Sequence, residues 1–124
     1  MSFTVRRIKH RTSLRPAQDL QRQLDIALRA LLTPATFCFA VPDAENPCNL
    51  PRLALIHGGR TLCLELKAPH GRLTSPQRAA HVALRAAGAR VEVARSLSEA
   101  LAHIRGFGIP LRDVSLRSIF RSAA

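Results

Sequence analysis

The 124-residue chain has no tryptophan, no tyrosine and one methionine, and aromatic residues make up 4% of it. So few rings argue against stacking platforms for single-stranded nucleic acid and favour arginine contacts to a duplex backbone. Acids are scarce as well, with 8 Asp+Glu against 19 Lys+Arg. Lys9 and Lys67 are the only lysines, so the basic side chains are almost all arginine. The three cysteines, Cys38, Cys48 and Cys63, are odd in number and form no C-x-x-C pair. That excludes a disulfide framework or a zinc ribbon and points to a reducing, cytoplasmic compartment. Cys38 and Cys63 lie inside apolar runs and should behave as small buried hydrophobes. No apolar run approaches the ~20 residues of a membrane span. No apolar stretch follows Met1 to Arg7, so neither a secretory signal nor a membrane anchor is expected. There is no glycine-rich phosphate loop and no serine in a nucleophile motif, so no small-molecule cofactor is expected.

What is present fits one domain: 47% hydrophobic residues are enough for a single core. The net charge of +11 points to a polyanionic partner, with nucleic acid first. Arg6, Arg7, Lys9, His10, Arg11 and Arg15 all precede the first acid, Asp19. Residues 1–15 therefore read as a basic arm, either phosphate-binding or simply solvated. Pro16 opens a helix carrying Leu20, Leu24, Leu28 and Leu31 on one face, ending near Leu32. A strand over 36–41 and a loop to Pro51 follow. Strands over 52–57 and 61–67 flank Gly58-Gly59, a hairpin signal. Ser75 reads as the N-cap of a helix stopping near Gly88, Arg90 to Ala94 as a strand, and Ser96 with Glu99 as the capping box of a last helix. The expected order is α-β-β-β-α-β-α, a mixed sheet flanked by helices over residues 16–109. Residues 110–124 form a tail without a readable pattern.

Alternation along the third strand puts Leu62, Leu64 and Leu66 on one face and Cys63, Glu65 and Lys67 on the other. A Glu and a Lys on a largely buried strand must pair or work. Counting back from the Gly-Gly turn places Ala54 opposite Cys63 and Arg52 opposite Glu65, so an Arg52–Glu65 salt bridge is possible. His57 and His70 flank the hairpin and the following loop, within reach of phosphate, whereas His81 and His103 read as packed or surface helix residues.

The elements Glu65-Leu66-Lys67, Gly71-Arg72-Leu73 and Ser75-Pro76-Gln77, in this order after Pro51, strongly resemble the VRR-NUC family of the PD-(D/E)xK nucleases. The resemblance continues through the last helix. It implies a restriction-endonuclease-like α/β fold and Mg²⁺- or Mn²⁺-dependent phosphodiester hydrolysis, on branched or structured DNA, by a homodimer. Carried over, Glu65 would bind metal, Lys67 would orient water or stabilise charge, and Gln77 would assist at the substrate. Arg6, Arg7, Lys9, Arg11, Arg52, His70, Arg72 and Arg78 would hold the nucleic acid. Two family acids are replaced: Pro-Asp is Pro51-Arg52 here, and the first-helix glutamate is Ala17. Asp43, in the loop after the first strand, is the first substitute metal ligand and Asp19 the second. Three readings follow: an active nuclease with a rearranged site, a catalytically degenerate DNA-binding member, or a protein-interaction partner of a nuclease.

Overall fold

The computed structural model describes residues 16–42 and 46–123. Arg6, Arg7, Lys9 and Arg11 of the arm, and Asp43, lie outside the described residues. Helix α1 (Pro16–Leu31) leads to β1 (Thr36–Ala40), β2 (Leu53–His57) and β3 (Arg60–Leu66). Helix α2 (Ser75–Ala86), β4 (Arg90–Ala94), α3 (Leu97–Gly106) and α4 (Leu116–Ala123) follow. The four strands form one sheet in the order β1-β2-β3-β4, antiparallel except for the parallel pair β3/β4. The expected α/β class and mixed sheet hold, and the strand bounds shift by at most one residue.

Gly58 and Gly59 have φ of 60° and 75°, and two consecutive positive φ values are what a tight two-residue hairpin turn requires. That turn sets the register His57–Arg60, Ala54–Cys63 and Leu53–Leu64. The paired register ends there, and Arg52 lies in a bend just outside β2.

Each face of the sheet has its own core. Leu53, Leu55, Leu62, Leu64 and Leu66 pack against Leu20, Leu24, Leu28 and Leu31 of α1 and against Leu101 and Ile104 of α3. Several of these leucines are fully buried, each worth about 1.5–3 kcal/mol of transfer free energy. On the other face Ala54, Cys63 and Val91 form a smaller cluster closed by Leu84 of α2 and by Ala89. The central strand β3 is thus covered on both sides, and this buries Glu65.

Two expectations are corrected. The N-cap of α2 is Thr74, not Ser75: its hydroxyl accepts the Gln77 N–H at 3.1 Å, and Gln77 Oε1 accepts the Thr74 N–H at 3.0 Å. Thr74 can bond to the N3 amide while Ser75 takes helical geometry ahead of Pro76. The tail is not patternless, and the element order gains a final helix. Leu111 bridges to Leu32, the Arg112 N–H bonds to Leu31 O at 2.8 Å, and α4 buries Ile119 against the core.

The thiols are free. Cys63 is buried, Cys38 half-buried and Cys48 exposed. Burial, with a smaller contribution from the charge of Asp25, pushes the Cys38 thiol up to about 11, and burial raises Cys63 as well. At pH 8 the thiolate fraction of Cys38 should be roughly a hundredfold below that of an ordinary cysteine. Timed alkylation read by mass spectrometry should therefore label Cys48 first and Cys38 and Cys63 far later. Equal rates would contradict the packing described here.

Candidate nucleic-acid interface at the end of strand β3

Glu65 is the next-to-last residue of β3 and only 5% exposed. Its Oε1 accepts a hydrogen bond from His81 Nε2 at 3.0 Å, and His81 is itself 2% exposed. A carboxylate only accepts, so Nε2 carries the hydrogen. His81 reaches the strand because α2 turns Gln77, His81 and Leu84 toward the sheet at helical spacing while Arg78, Val82 and Arg85 stay exposed. Sequence reading placed His81 as packed or at the surface. It is packed, and its partner is the candidate metal ligand. The signal was the spacing Gln77, His81, Leu84 facing a strand that carried an unpaired acid.

Arg52 does not pair with Glu65 as expected. Its guanidinium hydrogen-bonds to Gln21 Oε1 on α1, on the opposite face of the sheet. Leaving the ladder just before β2 frees the Arg52 side chain to turn around the end of the sheet. Ala17 sits in the first turn of α1 with Asp19, whose carboxylate offsets the positive end of that helix.

Lys67 continues the β3/β4 ladder by one bond, its N–H to Ala94 O at 3.0 Å. It is partly buried and has no ion-pair partner among the described residues. The loop after it carries His70 and Arg72, both exposed. Two arginines clasp that loop. Arg95 donates to Gly71 O at 2.9 Å, and Arg78 donates to Leu73 O at 2.7 Å and to Ser75 Oγ at 3.2 Å. Arg95, which sequence reading did not single out, follows β4 directly. Gly71 suits this close approach, since a Cβ would meet the backbone N and O of Ala68 at 3.3 Å, tighter than an ordinary contact. Lys67, His70, Arg72, Arg78 and Arg95 thus come together at one end of the sheet.

Gln77 gives its carbonyl oxygen to the α2 capping box. His57 is engaged with Thr36 Oγ1 at 2.9 Å, which pins β1 to β2 and leaves this nitrogen no part in phosphate binding.

The described residues do not by themselves make up a magnesium or manganese centre. Such an ion takes several oxygen ligands, commonly from more than one carboxylate. Among the described residues Arg52, not an acid, precedes β2 with its guanidinium turned to Gln21, and Glu65 is buried against an imidazole. Among the described residues no three His, Cys, Asp or Glu converge as a metal site. Nor is any helix among them long and apolar enough to cross a membrane. No family model matches the chain, and no curated protein matches it.

Proposed function

We propose that the chain is a DNA-binding protein on a VRR-NUC-type, restriction-endonuclease-like frame, holding duplex or branched DNA by its phosphates at the end of β3, without metal-dependent hydrolysis at that site. The observation that carries this reading is the fate of the two acid positions. Arg52 stands one residue before the Leu53–Leu64 pair, and Glu65 is committed to His81. The strand order with a parallel last pair, and Glu65 and Lys67 at the end of β3, support the kinship. The net charge of +11 and the cluster of Lys67, Arg72, Arg78 and Arg95 support the phosphate contacts. A homodimer would present two such clusters to two arms of a branched DNA.

Linear, flap and four-way DNA substrates, each incubated with EDTA, Mg²⁺ or Mn²⁺, test the reading. Salt-sensitive binding is expected, weakened by Mg²⁺ through competition for phosphate, with no cleavage in any metal. Cleavage that requires Mg²⁺ or Mn²⁺ and disappears in Glu65→Gln would overturn it in favour of an active nuclease that recruits Asp43 or Asp19. Absence of binding to every substrate would leave the protein-interaction reading.

A further inference from the structure

We infer that the uncovered half of the sheet, carrying Phe37, Phe39 and Ile56, is a stacking platform for the unpaired bases of a single-stranded nucleic acid. The inference rests on the nucleic-acid reading above and adds a second, base-contacting surface to it.

Phe37 and Phe39 alternate on β1 and so point to the same face, with ring centroids 6.0 Å apart and planes inclined by 45°. They are 65% and 44% exposed, and Ile56, the register partner of Phe37, is 39% exposed. Among the described residues α2 packs over β4 and the end of β3, and no element covers this face of β1 and the outer part of β2. Adjacent exposed phenylalanines on a strand forgo burial that a monomer would otherwise gain, and such patches mark binding surfaces. The scarcity of aromatics in the sequence argued against stacking. Yet two of the five phenylalanines stand side by side in water.

Charge and area select the occupant. From Thr36 to Ala40 and from Leu53 to Ile56 there is no charged side chain, while the chain as a whole carries +11. A polyanion is drawn to such a molecule. Two phenylalanines and an isoleucine, at no more than roughly 200 Å² each and about half exposed, offer about 300 Å². A stable protein interface needs about 800 Å² per partner. Bases need only ring faces, and every base has one, so the platform requires no particular sequence. Its position also fits. Phe39 is level with Ala54 and Cys63, two residues before Glu65 on the same face of β3. A strand leaving a duplex held at Lys67 and Arg72 would run across Phe39 and then Phe37.

The test uses the full chain and two fluorescein-labelled probes of about twelve nucleotides. One is oligothymidylate and the other an abasic strand with the same backbone. The wild type should bind oligothymidylate roughly five- to a hundredfold more tightly than the abasic strand. Phe37→Leu with Phe39→Leu should abolish that preference while leaving abasic binding and the salt slope unchanged. Leucine keeps both positions apolar and both are exposed, so the fold should persist, as circular dichroism would confirm. Equal binding of the two probes by the wild type would overturn the platform and leave the backbone reading intact. Failure to bind either probe, or duplex, would overturn both readings. Sedimentation of the wild type as a dimer that the double variant dissociates would assign the patch to self-association instead.

Discussion

A His81→Ala variant is expected to lose about 3–5 kcal/mol of unfolding free energy, because it leaves the Glu65 carboxylate buried with no partner. Glu65 lies in the central strand, on the same face as Cys63 and under α2. An exposed pair such as Arg29–Asp25, 3.1 Å apart on α1, contributes at most about 1 kcal/mol, since water solvates both ions in either state. Urea unfolding of wild type, His81→Ala, Glu65→Leu and the double variant Glu65→Leu/His81→Leu would resolve the coupling. The double variant should recover most of the stability, because replacing a buried pair with apolar side chains removes both desolvation penalties together. A cost below about 1 kcal/mol for His81→Ala would mean that water reaches Glu65 and that the pair is not the lock described here. The result also governs any activity assay. An inactive Glu65 variant is informative about chemistry only if it is shown to remain folded.

Local signals that fix backbone geometry were the legible part of this sequence. Gly58-Gly59 dictated the hairpin turn, and through it the register that puts Ala54 across from Cys63. Gly88, at φ 105°, terminates α2 where it was expected to, with the Ala89 N–H bonded to Leu84 O and the Gly88 N–H to Arg85 O. The leucine stripe of α1 reads directly as a buried face. Side-chain partners chosen across the fold were not legible. Register placed Arg52 beside Glu65, but a long flexible side chain at a strand end can turn to either face, and Gln21 on α1 takes it. His81 is six residues into its helix, and only the docking angle of α2 decides that it meets Glu65. The final helix was missed for a different reason. Its apolar residues Leu116, Ile119 and Phe120 and its capping Ser115 have helical spacing, but eight residues give too short a period to stand out from a tail. Likewise, alternation puts Phe37 and Phe39 on one side of the first strand, but whether that side is covered is set by how the helices pack, which the sequence pattern does not carry.

Affinity for a short duplex should fall steeply with salt, and substitution should locate the charges responsible. If the cluster at the end of β3 holds the backbone, Lys67→Ala and Arg72→Ala should each reduce the log–log salt slope by about 0.9 and weaken binding alike for all sequences. Neither side chain forms an ion pair among the described residues, so little stability is at stake. Arg117→Ala and Arg121→Ala are the controls. These exposed arginines carry the same charge but lie on α4, which packs against α1, away from the α2 face. Their loss should leave the slope unchanged. Arg52→Asp probes the same end of the sheet more severely, since it reverses a charge and removes the guanidinium that holds Gln21. Its slope should drop by more than that of either single alanine variant. Fluorescence anisotropy between 50 and 200 mM salt is enough, because about six phosphate contacts would change affinity roughly a thousandfold over that range. If the α4 arginines matter as much as Lys67 and Arg72, binding follows net charge alone and the end of β3 is not its seat. If only the β3 cluster moves the slope, the end of β3 is where the chain grips the phosphate backbone.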